Sequence, residues 1–322
     1  MTERVLVTGG AGFIGSHVVE QLARQKRAVT VLDDLSTGRR ANVDSTAVDF
    51  VQGSVTDPSV VQHAMRGVTK VVHLAALPSV SRSLEHPADT HHACATGTLV
   101  VLQAAREANA RVVYAGSSSA YGNQETLHKH EGLREDPLSP YAAAKLAGEL
   151  YCRSFARVYG MSIVVTRFFN VFGPRQTADS PYSGVVAAFC RALLLGKAPR
   201  IDGDGQQSRD FTYVEDVAVG VLQCLDAAST GCETVNLAYG HATTVRELYD
   251  RLRELAIRAA GTGPLPPEPV AAPPRSGDVR HSLASTDLAK KLFGFAPRVG
   301  FAEGLARTFD WYRSHSGRSP QA

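Results

Sequence analysis

Valine-rich runs of strand length recur through the first 240 residues: RVLVTGG, AVTVLDD, DFVQGSV, KVVHLAA, RVVYAGSS, SIVVTRF and TVNLAY. Helix-length stretches such as TLVVLQAAREAN and AAAKLAGELYCRSFARVYG separate most of them. A strand that is apolar without alternation is buried on both faces, and strands that alternate with helices run parallel. The pattern predicts an α/β fold: a doubly wound parallel sheet with helices on both sides. After Phe169 the pattern breaks. NVFGPRQTADSPYSG is a polar loop with Gly and Pro, and GTGPLPPEPVAAPPRSGD is a second irregular stretch. VRELYDRLRELAIRAA and STDLAKKLF, around that stretch, read as helices. A chain of 322 residues has room for a second, smaller lobe. The expected division is residues 1–168 with about 210–240 in the sheet domain, and about 169–209 with 241–322 in a C-terminal α/β lobe.

The first strand runs into VTGGAGFIGSH, where Gly10, Gly12 and Gly15 have G-x-G-x-x-G spacing and Gly9, Gly12 and Gly15 have G-x-x-G-x-x-G spacing. Between a strand and a helix, such glycines allow a tight turn and bring a pyrophosphate to a helix N-terminus. That is the Rossmann arrangement, and Gly9, Gly12, Phe13, Ile14 and Gly15 are its candidate contacts. Asp33 ends the next strand, where a carboxylate holds ribose hydroxyls, with Asp34 beside it. Its charge repels a 2′-phosphate and so points to NAD over NADP. Arg39 and Arg40 lie close enough in sequence to soften that preference.

SPYAAAK places Ser139 as an N-cap, Pro140 at the first helical position, and Tyr141 and Lys145 at i and i+4 on one face. A free tyrosine has a pKa of about 10, and bringing it near 7 takes about 4 kcal/mol of preference for the phenolate. A nearby ammonium and a cationic nicotinamide ring are the groups that supply it. The plain alternative is a surface tyrosine with Lys145 paired to Glu149 one turn on. Upstream, AGSSSAYG puts Ser117, Ser118 and Ser119 at the carboxyl end of a strand, where doubly wound sheets bind ligands.

A net charge of +3 with scattered basic residues argues against nucleic acid or a membrane surface as partner. The N-terminus enters a strand without a signal-peptide core, and no apolar run reaches the length of a membrane span. Cys94, Cys152, Cys190, Cys224 and Cys232 are odd in number and lack C-x-x-C spacing, which predicts reduced thiols and a cytoplasmic location. His91, His92, His128 and His130 have no partner ligands at recognisable spacing, so no metal is expected.

Together these pieces resemble the extended short-chain dehydrogenase/reductase family, and within it the NAD-dependent nucleotide-sugar epimerase/dehydratase group, closest to its UDP-sugar 4-epimerases. The resemblance runs along nearly the whole chain through TGGAGFIGSH, VLDDLSTG, HLAA, SSSAYG, SPYAAAK, RFFNVFGPRQ, DGDGQQSRDFTYVEDV and PRSGDVRHSLASTD. It implies NAD as cofactor, a UDP-sugar substrate and a homodimer. It implies Ser117, Tyr141 and Lys145 as catalytic residues, and Leu74, Ala75, Ala76 and Phe168 as cofactor contacts. On the substrate side it implies Ser118, Ser119, Asn170, Arg209, Arg275, Asp278 and Ser282; two arginines suit a diphosphate. Two positions depart from the pattern: Gly53-Ser54 stands where the group often has Gly-Asp, and Cys94 where it often has asparagine.

The implied reaction is inversion at C4 of a UDP-hexose through a transient 4-keto sugar, with the Tyr141 phenolate taking the C4 hydroxyl proton. Related 4,6-dehydratases carry an Asp-Glu pair where this chain has Ser118 and Ser119, and related decarboxylases carry a glutamate at the second position. A serine without an activating partner is a poor acid or base, which favours epimerisation. A small Ser282 is expected to leave room beside the sugar C2 for an N-acetyl group. A dehydratase, a decarboxylase and a non-catalytic NAD-binding module are the alternatives.

Overall fold

The computed structural model describes residues 3–178, 180, 182–261, 263, 265–274 and 279–315. Seven parallel strands form the central sheet. They are β1 (Arg4–Thr8), β2 (Ala28–Asp33), β3 (Asp49–Gln52), β4 (Lys70–His73), β5 (Arg111–Ser117), a sixth at Ile163–Phe168 and a seventh at Cys232–Leu237. Their order is 7-6-5-4-1-2-3. The chain therefore reverses its winding between β1 and β4, where Thr8 stands opposite His73. Open α/β sheets take ligands at the carboxyl ends beside such a reversal.

Helices cover both faces because the strands are apolar on both. On one face Val18, Val19 and Leu22 of the helix Phe13–Arg24 meet Val217, Val221 and Leu225 of the helix Val214–Asp226. On the other, Val101 and Leu102 of Gly97–Glu107 pack with Cys152, Phe155 and Ala156 of Pro140–Tyr159. Each fully buried valine or leucine contributes about 1.5–3 kcal/mol. Just before Gly97–Glu107 the chain makes a π-helical turn, His92–Thr96, centred on Cys94.

A third apolar cluster is built from the helices Val185–Leu194, Val245–Ala260 and Phe301–His315. A four-stranded sheet lies among the later segments, ordered Ala242–Thr244, Ser208–Asp210, His281–Ala284 and His128–Lys129. One stretch read as irregular forms a strand: Val270–Ala272 pairs with Arg200–Asp202. Proline cannot donate to a ladder, but these three residues can, and the Val270 N–H reaches the Pro199 carbonyl at 2.9 Å. All five cysteines are unpaired, as expected. Among the described residues no helix is long and apolar enough to cross a membrane, and no cluster of three or more His, Cys, Asp or Glu could hold a metal.

Candidate active site

The crevice at the reversal begins where β1 gives way to Gly9, which has φ of 68° and donates its N–H to Leu32 at 2.8 Å. A Cβ on Gly9 would lie 2.8 Å from the Ala75 nitrogen, and one on Gly15 would overlap the Gly9 carbonyl. No side chain caps the helix that starts after Gly12, so its first N–H groups remain available to an anion. Phe13 and Ile14 are half-buried there. Across the crevice Leu74, Ala75 and Ala76 follow β4, half-buried, with the Leu74 N–H on the Thr8 carbonyl at 3.1 Å. Phe168 ends the sixth strand and packs on the first cluster.

Asp33 is buried at the end of β2, and its carboxylate accepts the N–H groups of Ala11 (2.9 Å) and Leu35 (2.8 Å). Burial raises its pKa, and those N–H groups pull it back. Asp34 turns outward and accepts from the Ser36 N–H at 2.9 Å. Arg40 is drawn away from the carboxylate of Asp33 by other partners. Its guanidinium stacks 4.0 Å from the centre of the Phe50 ring and pairs with Asp44 at 3.2 Å.

On the other side of the crevice, Ser117 ends β5 and caps the short turn Ser118–Tyr121. Its oxygen accepts the Ser119 N–H (3.2 Å) and the Ser119 hydroxyl (2.8 Å), and its side chain lies near enough to Tyr141 to favour the phenolate. A serine has one proton to donate, so this geometry directs that proton at the phenol oxygen. Ser139 caps the helix Pro140–Tyr159 through the Ala142 N–H at 3.2 Å, and Tyr141 sits half-buried in its first turn.

Among the protein groups around it, Tyr141 is governed mainly by burial. Burial raises the phenol well above its ordinary value, and the Ser117 side chain only partly offsets that. Lys145, 3% exposed, lies on the neighbouring tyrosine: its Nζ is 4.6 Å from the centre of the Tyr114 ring. The alternative pairing of Lys145 with Glu149 fails. Glu149, 1% exposed, gives Oε2 to Arg167 Nε (3.0 Å) and Oε1 to Arg167 Nη2 (2.6 Å), and it also pairs with Arg153.

Asn170 follows the sixth strand with φ of 24°, a left-handed conformation that asparagine tolerates better than most residues. Arg209 and Ser282 stand side by side, partners in register between Ser208–Asp210 and His281–Ala284. Arg209 donates to the carbonyls of Ser208 (2.9 Å) and Arg280 (3.3 Å). Next to it Asp210 is fully buried, with its pKa pushed up to about 7 by burial. It accepts the N–H groups of Tyr239 (3.0 Å), Gly240 (3.0 Å) and Ala284 (3.2 Å), which fixes the base of the Arg209 strand. Arg275 and Asp278 lie outside the described residues.

The model of the NAD dependent epimerase/dehydratase family matches residues 5–238. The chain belongs to this family. It is 37% identical over 320 residues to a UDP-glucose 4-epimerase of Mycolicibacterium smegmatis, covering 97% of this chain and 99% of that one. The crystal structure of a Thermotoga maritima UDP-glucose 4-epimerase with UDP-glucose superposes with a TM-score of 0.91 at 36% identity, covering 97% and 99% of the two chains. A dTDP-glucose 4,6-dehydratase of Streptomyces antibioticus is 36% identical, over 97% of this chain and 92% of its own.

NAD is the cofactor of this epimerase/dehydratase family member, and the residues fit it. Gly9 and Gly15 leave a cradle that any Cβ would fill, the helix start is uncapped by side chains, and Asp33 closes the end of β2. The sequence reading missed Tyr114 and Arg167 at this site. A lone tyrosine in the otherwise apolar run RVVYAG was the available signal for Tyr114. Arg167 and Glu149 are 18 residues apart on different elements, so only folding joins them.

Proposed function

We propose that this enzyme inverts C4 of a UDP-hexose through a transient 4-keto sugar. One observation carries the choice of reaction: the two residues that follow Ser117 are serines, and Ser119 is hydrogen-bonded to Ser117 beside Tyr141. Eliminating water after oxidation at C4 needs a further acid and base. Here Ser119 instead donates to Ser117 and so orients the hydroxyl that serves Tyr141.

When bound, NAD accepts and returns the C4 hydride, and its cationic ring adds positive charge beside Tyr141. Tyr141 takes the proton of the C4 hydroxyl and later gives it back, while Ser117 holds the phenol oxygen. Arg209 and Arg275 hold the diphosphate, Asp278 the uridine ribose, and Ser118, Ser119 and Asn170 border the sugar. UDP-glucose and UDP-galactose are the expected pair. The small Ser282, adjacent in register to Arg209, favours acceptance of the N-acetylated sugars as well. In this reading residues 1–168 with about 210–240 carry the cofactor and the rest carries the sugar nucleotide. The enzyme works in the cytoplasm, where its unpaired thiols persist. It pairs as a homodimer through the helix face that exposes Leu150, Tyr151 and Val158.

Incubation with UDP-glucose, UDP-N-acetylglucosamine and UDP-glucuronate, followed by chromatography and mass spectrometry, tests the reading. A new epimer of unchanged mass is expected. Loss of water would assign a dehydratase, loss of carbon dioxide a decarboxylase, and no product a non-catalytic NAD-binding module.

A further inference from the structure

Lys145 is a buried cation with no carboxylate on it. Among the described residues its ammonium forms no ion pair, and the acid one turn on, Glu149, is taken by Arg167. The groups around it include Tyr114, His73 and Cys152, and burial holds each of these three in its neutral form. Burial accordingly pulls the pKa of Lys145 below its ordinary value.

Tyr114 holds the lysine at both ends. Its ring takes the ammonium at 4.6 Å, and its hydroxyl donates to the main-chain carbonyl of Lys145 at 2.9 Å. The second contact requires the phenol to lie against the helix, and the helix makes space for it with Gly148. A Cβ there would stand 2.7 Å from Tyr114 Cζ and would overlap its oxygen. A glycine inside a 20-residue helix costs about 1 kcal/mol relative to alanine, so the close approach is bought at the expense of helix stability.

Beside the tyrosine runs a chain of hydrogen bonds. Thr98 spends its one proton on the Cys94 carbonyl (2.5 Å), so it must accept from His73 Nε2 (3.0 Å). His73 Nδ1 then accepts from Thr8 (2.7 Å), whose oxygen takes the Ala75 N–H (3.3 Å). The imidazole is neutral, its pKa pushed down to about 3 by burial and by Lys145, and it lies 5.7 Å from the Tyr114 ring. This chain links the ends of β1 and β4, which border the cofactor crevice, and sets the imidazole beside the ring under Lys145.

We propose that Tyr114 is a positioning residue: its ring face holds the Lys145 ammonium in place, unneutralised, for the cofactor and the phenol. This rests on the reading of Lys145 as a group that serves NAD and Tyr141. Its test needs no sugar turnover, so it stands or falls separately from the epimerase reading. The full-length protein is compared with Tyr114→Phe, with 3,4,5-trifluorophenylalanine at 114, and with Tyr114→Leu. NAD affinity is measured by calorimetry. Ionisation of Tyr141 with NAD bound is read as phenolate absorbance, each protein against its own Tyr141→Phe partner. Tyr114→Leu is expected to weaken NAD about tenfold and raise the Tyr141 titration by about one pH unit. Phenylalanine keeps the ring and is expected to change either by less than about threefold, with the fluorinated ring in between. If Tyr114→Leu fails to fold, the two phenylalanines decide alone, because they differ in the charge of the ring face and little in shape. Equal NAD affinity and equal titration for those two would overturn the proposal.

Discussion

Both carboxylate oxygens of Glu149 bond to Arg167, at 3.0 and 2.6 Å, and so the acid one turn beyond Lys145 does not neutralise it. Arg167 is fully buried, and its guanidinium also lies 4.5 Å from the Tyr121 ring and 2.8 Å from Glu135. The pair ties the helix of Tyr141 and Lys145 to the strand that leads into Phe168.

Without Arg167 the buried Glu149 keeps, among the described residues, only the partly exposed Arg153 as a charged partner. Arg167→Leu is expected to lower unfolding free energy by about 3–5 kcal/mol, and Arg167→Leu/Glu149→Leu to restore most of it. Urea denaturation of the two variants checks this. A single variant as stable as the parent would show that the pair is not what clamps the helix.

Tyr141→Phe retains the ring and loses the proton acceptor. Turnover is expected to fall about 10²–10⁴-fold with the melting temperature unchanged, and Ser117→Ala to cost less. Ser119→Ala is expected to reduce turnover as well, because it frees the Ser117 proton to turn elsewhere. Epimer formation by chromatography is the readout, and near-parental activity in Tyr141→Phe would remove that residue from the chemistry.

Acid sensitivity should come from two buried neutral histidines. His73 is pushed down to about 3 and His17 to about 4, both mainly by burial, from an ordinary value of 6.5. The unfolded chain therefore binds more protons between those limits, and stability is expected to fall as pH drops from about 6.5 toward 3. Asp210 acts oppositely: raised to about 7 from 3.8, it makes the folded state the better proton binder, so its contribution is lost as pH rises through that range. Urea midpoints across pH 3–8 should rise less steeply in His17→Asn than in the parent and more steeply in Asp210→Asn.

Ser282→Tyr places a large ring beside Arg209. Activity on UDP-N-acetylglucosamine is expected to fall at least about tenfold more than activity on UDP-glucose. Competition assays with the two substrates measure the ratio. An unchanged ratio would locate the C2 pocket elsewhere.

The sheet, the glycine cradle and the helix of Tyr141 were legible in the chain because each is written in local signals. Unbroken valine runs specify two-sided burial, G-x-G-x-x-G between strand and helix specifies a turn, and Ser139-Pro140 specifies a helix start. Asp33 and Ser117 were legible for the same reason, as polar residues at strand ends. What Lys145 does with its charge was not legible. Its nearest acid in sequence is Glu149, but its ammonium sits on a tyrosine from β5, and Glu149 serves an arginine from the sixth strand. Ion pairs and ring contacts are chosen by distance in space, under the pressure that a buried charge must find some partner. Sequence spacing sets which residues share a face; the packing of helix against sheet decided which of them meet.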